Sequence, residues 1–413
     1  MRILILNQAF HPDVVSTAQH ASDLAIALTR AGHQVTVVCN SRAYDDPRYR
    51  FRKRETWSGI NIVRVRSTGF GKSSKWRRAI DFATFMASCA CRLWSLPRFD
   101  VIVAMTSPPL ISYIASLAVP RRAHSLIFWS MDLNPDEAIA AGWLRDESLT
   151  ARLLSHLLLH SLRGADRIIA LDRFMKQRIE QKGIPSEKVV LVPPWSHDDR
   201  VRFDPTGRSE FRRIHKLSDK FVVMYSGNHS PCHPLETLLQ AAEHLADRKE
   251  IIFCFVGGGS EFRMVQDRAR DRRLRNVLCI PYQPIEKLSA SLSAGDLHVV
   301  VMGNNYVGIV HPCKIYNILA ANRAFLYIGP QESHVQDIIR HAGQDAYPSA
   351  HGDVDGVVTN ILLAMRRYET ASPMTGVLAK RFSKESLVHQ MIRVIEDSNR
   401  IRVETGLEPI VEP

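Results

Sequence analysis

Residues 1–40 read MRILILNQAFHPDVVSTAQHASDLAIALTRAGHQVTVVCN. Arg2–Leu6 is a short apolar run, and a proline-containing loop follows it. Ala18–Ala31 then places its apolar residues at helical spacing, with Gly32 as the C-terminal stop. Gln34–Cys39 is again β-branched and apolar. Strand, helix and strand within forty residues make a βαβ unit, the building block of parallel sheets.

The same rhythm continues outward. Ile60–Val65, Val101–Ala104, Ser125–Trp129, Arg167–Leu171 and Val189–Val192 are short apolar runs bounded by turns or helical segments. A polar, basic stretch near 198–219 lacks periodicity and reads as a linker. Beyond it Phe221–Tyr225, Ile251–Val256, Val277–Ile280, Leu297–Val301 and Ala324–Ile328 alternate with helical runs. The fold class is therefore α/β, with two doubly wound Rossmann-like domains. The expected division is 1–200 for the first domain, 215–380 for the second, and 381–413 for a closing helix and tail.

Composition agrees. The chain has 413 residues, 45% hydrophobic and 23% charged, a globular profile long enough for two cores. Lys and Arg number 54 against 42 Asp and Glu, a net +12 that favours an anionic ligand or surface. Seven cysteines, an odd number set mostly in apolar runs, suit reduced core thiols and a cytoplasmic location. The uncharged stretch 101–120 is interrupted by Pro108-Pro109 and reads as strand, turn and helix instead of a membrane span.

Parallel sheets bind ligands at the carboxyl ends of their strands. At the first strand of the second domain that end is Ser226-Gly227-Asn228-His229-Ser230-Pro231, a small-residue loop feeding a helix. It is either a phosphate cradle or a plain turn. Val256-Gly257-Gly258-Gly259 ends the next strand, where the glycines suit close approach of a ligand or simply a turn. Neither domain opens on Gly-x-Gly-x-x-Gly, and no Gly-x-x-x-x-Gly-Lys-Ser/Thr run is present, which argues against dehydrogenases and P-loop enzymes.

Pro312 is placed to begin a helix, and Lys314 in its first turn opposes the helix dipole unless an anion sits there. His229, Cys232, His233, His311 and Cys313 match no standard zinc spacing, so no metal and no cofactor are expected. Asp132, Asp136 and Glu137 either cap the helix after Pro135 or place Asp132 at a ligand.

Several stretches in order resemble family 4 of the glycosyltransferases. In the second half they are Tyr225-Ser-Gly227-Asn228, Leu235-Glu-Thr-Leu-Leu, Phe255-Val-Gly257, Ala294-Gly-Asp296 and Pro312-Cys-Lys314-x-Tyr316. In the first half they are His11-Pro12, Gly32-His33-x-Val35, Ser107-Pro-Pro, Asp132-Leu-x-Pro135 and Ala165-Asp166. The resemblance implies the GT-B architecture and a retaining hexosyltransferase. The donor would be a nucleotide-diphosphate sugar in the second domain. The acceptor, on the first, would be a lipid-linked or soluble glycan of cell-surface polysaccharide synthesis.

Carried onto this sequence, the resemblance makes Asp132 and Lys314 the catalytic candidates. The donor site comprises Gly227, Asn228, His229, His233, Gly257, Gly258, Tyr282, His311, Pro312, Cys313, Tyr316 and Asn317. Asn228 and His233 stand where many members have Arg and Lys. Ile309 and Asn317 replace the two family glutamates, and Met131 replaces a histidine before Asp132. A nucleotide-sugar epimerase, a non-catalytic binder and a nucleic-acid-binding protein are the alternatives, and no recognition element supports the last.

Twelve Lys/Arg against four Asp/Glu lie between Ser41 and Asp81, +8 of the chain's +12. Trp57, Phe70 and Trp76 are interleaved with them. The pattern suits either a solvated basic face or an anionic bilayer on the cytoplasmic side, with Arg50, Arg52, Lys53, Arg54, Lys72, Lys75, Trp76, Arg77 and Arg78 as contacts.

Overall fold

The βαβ unit of the first forty residues forms as β1 (Arg2–Leu6), the helix Ser16–Arg30 and β2 (Gln34–Asn40), with β1 and β2 paired in parallel. The computed structural model describes residues 1–44, 46–71, 74–368 and 377–405, the side chains of Lys75, Val377 and 399–405 excepted. The chain divides into two units, 1–193 with 387–413, and 194–386.

In the first unit the further strands are β3 (Arg54–Trp57), β4 (Ile60–Val65), β5 (Phe99–Ala104), β6 (Ala123–Trp129), β7 (Arg167–Ala170) and β8 (Val189–Leu191). Among the described residues they form one sheet of order β3-β4-β2-β1-β5-β6-β7-β8, parallel except for the β3–β4 hairpin. The order reverses between β1 and β5, which makes the sheet doubly wound. Apart from Arg2 and Asp100 near their starts, strands β1 and β5 are apolar because helices cover both faces, and Ile3, Leu4, Ile5, Val101, Ile102 and Val103 are fully buried.

The second unit holds β9 (Phe221–Asn228), β10 (Ile251–Gly258), β11 (Val277–Ile280), β12 (Leu297–Val301), β13 (Ala324–Ile328) and β14 (Ala346–Ser349). All pair in parallel, in the order β11-β10-β9-β12-β13-β14. This is the dinucleotide-fold order, with its switch point between β9 and β12. On one face Val223, Tyr225, Phe253, Phe255, Leu239 and Val299 form a continuous core.

Three expectations change. The stretch near 198–219 is no linker: it contains the helix Pro205–Ile214, begun by Asp204, whose carboxylate accepts from the Gly207 N–H at 2.9 Å. The boundaries fall after residues 193 and 386 instead of near 200–215 and 380. The end of the chain, placed apart as 381–413, joins the first unit from Leu387 onward, through the helix Lys384–Thr405. Among the described residues no helix is long and apolar enough to cross a membrane.

Candidate active site

The glycines at the ends of β9 and β10 are paired strand before they are loop, with Gly257 opposite Gly227 and Gly258 opposite Asn228. Gly257 and Gly259 have φ of +134° and +129°. A Cβ on Gly257 would lie 2.1 Å from the Gly227 carbonyl oxygen, and one on Gly259 2.2 Å from that of His229. These two glycines therefore serve the approach of one backbone to another. Gly227 differs: a Cβ there would meet only Lys314, at 3.5 Å from Cε and 3.6 Å from Nζ.

Lys314 comes from the start of the helix Lys314–Ala320 and reaches the switch-point end of β9. Its stem is partly exposed, but its Nζ is sealed from solvent and has no hydrogen-bond partner among the described residues. The Nζ sits 3.5 Å above the centroid of the Tyr225 ring. Burial holds its pKa well below that of an ordinary lysine.

Two histidines share this loop. His229 is fully buried, its Nδ1 facing the carbonyl oxygens of Gly227 and Gly258 at 3.1 and 3.3 Å. A nitrogen facing carbonyls must carry the proton, so the Nε2 presents a lone pair, and that atom is buried without a hydrogen-bond partner among the described residues. Burial, and secondarily Lys314, push its pKa down to about 4. His233 likewise donates from Nδ1 to the Val301 carbonyl at 2.8 Å, and burial with Lys314 lowers its pKa to about 3. His233 thus brings no positive charge to this loop. Tyr282 is 60% exposed, and its hydroxyl donates to the Gly258 carbonyl at 3.3 Å.

Other expected donor contacts are turned to internal use. His311 Nε2 lies 2.6 Å from the Tyr316 hydroxyl, both residues are buried, and the His311 ring stacks on His334 at 3.6 Å. Cys313 donates to the His311 carbonyl at 3.2 Å. Asn317 accepts the His197 N–H through Oδ1 at 3.1 Å, which leaves its amide nitrogen as the group a ribose could meet. Pro312 is buried one residue before the turn. Tyr225, never singled out as a site residue, forms the floor beneath Lys314, and its hydroxyl donates to the Asn228 carbonyl at 2.9 Å.

In the first unit Asp132 follows β6. Burial, with the nearby Glu137, raises the pKa of its carboxyl above the usual carboxylate range. Asn134 donates to Glu137 at 2.9 Å, and Asp136 pairs with Lys182 at 2.8 Å. None of these carboxylates caps the helix Asp136–Ala140. Glu55 and Arg64 pair at 2.8 Å with Arg64 buried, so part of the basic cluster is internal. Trp57 stacks on His11 at 3.8 Å instead of standing free.

Arg52, Lys53 and Arg54 are exposed, as are Arg77 and Arg78. Trp76 is 59% exposed beneath the Arg77 guanidinium. It begins an outward stripe on the helix Lys75–Ser95 that continues through Ile80, Ala83, Ala87 and Cys91 to Trp94, while Phe85, Cys89 and Leu93 face the core. Lys72 lies outside the described residues, as does the side chain of Lys75.

Residues 17–195 match the family described as glycosyl transferase 4-like domain. WcaI of Escherichia coli (strain K12), assigned as a glycosyl transferase of colanic acid biosynthesis, is 23% identical over 96% of this chain and 100% of its own. Sucrose-phosphate synthase from Thermosynechococcus elongatus superposes with a TM-score of 0.76 at 14% identity, covering 96% of this chain and 98% of that one. Anabaena Alr3699/HepE in complex with UDP-glucose gives 0.70 at 14% identity, covering 96% and 100%. The fold is GT-B, and the protein is a glycosyltransferase. The match over residues 17–195 makes the first unit similar to family 4 of these enzymes.

Proposed function

We propose that this glycosyltransferase moves a hexose, with retention of anomeric configuration, from a nucleoside-diphosphate donor held by the second unit. The observation that carries the reading is the sealed Lys314 Nζ, without a hydrogen-bond partner among the described residues, beside Gly227 at the switch point of the second sheet. When the bond from the anomeric carbon to the donor oxygen breaks, the diphosphate leaves with the electron pair. Lys314 and the backbone N–H groups near Gly227 stabilise that charge where no water competes. The acceptor hydroxyl forms the new bond to the anomeric carbon and gives its proton to the departing diphosphate oxygen. No step calls on a metal ion.

The likeness to HepE, solved with UDP-glucose, makes UDP-sugars the first donors to try. WcaI, of colanic acid biosynthesis, supports a glycan of surface-polysaccharide synthesis as acceptor; a lipid diphosphate as its carrier is part of the proposal. The test is a thermal-shift screen of UDP, GDP, ADP and their sugars, followed by transfer assays with and without chelator. Stabilisation by one nucleoside diphosphate and chelator-resistant transfer are expected. Epimerised donor formed without acceptor, or no transfer from any stabilising donor, overturns the reading.

A cytoplasmic enzyme of this kind meets its acceptor on the inner face of the membrane, and the basic, aromatic surface of the first unit supports that placement. Near an anionic surface each basic residue contributes about 1 kcal/mol, so reversing Arg77 and Arg78 to glutamate should weaken vesicle partitioning by at least ~tenfold. Flotation with phosphatidylglycerol vesicles at rising salt reads this directly. A protein that stays off the vesicles at low salt, or a double reversal without effect, points to a soluble acceptor.

A further inference from the structure

Lys314 lacks what buried lysines ordinarily have. Among the described residues no carboxylate pairs with it, and burial is the cause acting on its ionisation. The titratable groups that face it are Tyr225 on β9, then His229 and His233 on the loop that follows. Tyr282 and Cys232 act electrostatically on Tyr225. The three that face it carry no negative charge near neutral pH: burial raises the Tyr225 phenol well above its usual range, and both histidines are neutral. A cation over an aromatic face is attracted by the ring quadrupole, most strongly when desolvated. The Tyr225 ring, itself 1% exposed and fixed by its bond to the Asn228 carbonyl, provides that face at 3.5 Å.

We propose that Tyr225 is the positioning residue of Lys314, its ring standing in for an acidic partner, so that the donor's diphosphate is the first ionic partner the lysine meets. This rests on the reading that Lys314 receives the diphosphate. A carboxylate would hold the lysine charged at all times and would repel the donor. A neutral ring holds it in place without competing for it. Donor binding therefore carries a proton: the empty site shelters an amine that is partly deprotonated, and the bound diphosphate restores the ammonium. Affinity falls as pH rises through the pKa of the empty site, because each binding event must then bring its proton.

Isothermal titration calorimetry with UDP, GDP and ADP, each in buffers of different ionisation enthalpy from pH 6.5 to 9.5, measures the uptake. For the wild type, uptake by whichever nucleotide binds should grow with pH, and Lys314→Met should abolish it. Tyr225→Phe keeps the ring and should bind within about twofold of wild type. Trifluorophenylalanine at position 225 keeps the shape and weakens the quadrupole. It should lose affinity by about tenfold at pH 8 and shift the pH profile downward. A purely structural tyrosine would leave that profile where it is. If no nucleoside diphosphate binds through Lys314, the donor reading falls and this inference with it. If one binds through Lys314 without buffer-dependent heat, or if the fluorinated and Phe variants coincide, the donor reading stands and the role of Tyr225 is overturned.

Discussion

Lys314→Ala should slow transfer between several-fold and ~1000-fold at saturating donor while leaving a folded protein. The rate falls because the leaving diphosphate loses a charge placed against it in a site sealed from water. Stability should move the other way. An ammonium buried without an anion costs free energy, and its removal in Lys314→Met, which keeps the stem, should stabilise the second unit by about 1 kcal/mol. The exposed part of the stem argues against a larger figure. The sign with pH is fixed by linkage. The folded pKa lies below the unfolded one, so between them the unfolded chain binds more protons and wild-type stability rises with pH. The Met variant should lack that rise. Urea unfolding at pH 7 and 9, beside single-turnover kinetics, would show both. An unchanged rate refutes the leaving-group role, and a destabilised Met variant refutes the account of its burial.

How much of this was legible depends on the distance over which the information acts. The strand FVVMYSGN of β9 and the helices around it follow from local periodicity, and so did both sheets. The helix Pro205–Ile214 did not, because its inward face is Phe211 and Arg212. A buried arginine reads as surface until its partner Asp296, 84 positions away, is seen. The edge strands β3 and β14 escaped notice because both are short, one charged and one carrying a proline. Lys314 was found from its conflict with the local dipole, a signal contained in one turn. Tyr225 was not, because a tyrosine ending an apolar strand looks like core until a lysine from a distant helix lies over it. Asn317 and Tyr316 were placed at the donor from the resemblance, and their hydrogen bonds to His197 and His311 are tertiary facts no spacing reveals.

Asp296 lies at the opposite end of the sheet from Lys314, and its substitution should have the largest effect on the fold. Its side chain is 1% exposed and accepts from Arg212 at 2.9 Å, from Arg208 at 2.6 Å and from the Val222 N–H at 2.8 Å. The two guanidiniums also bind the Ala294 and Ser293 carbonyls, which ties the helix Pro205–Ile214 to the start of β9 and the end of the helix Leu288–Ala294. Asp296→Ala leaves a buried N–H and two largely buried cations without their anion, and such losses cost about 3–5 kcal/mol. That is a large share of a domain's stability, so the second unit should unfold first and alone. Asp296→Asn keeps an acceptor for the Val222 N–H but not the charge, and should fall between wild type and Ala. Urea titration should show one early transition for the Ala variant and one near the wild-type midpoint, with proteolysis confined to 194–386 at intermediate urea. A loss under ~1 kcal/mol would mean that the carbonyls alone satisfy both arginines. The contrast with Lys314 makes the two experiments a pair. Removing a buried charge that has no partner should stabilise the unit, whereas removing the partner of two buried charges should unfold it.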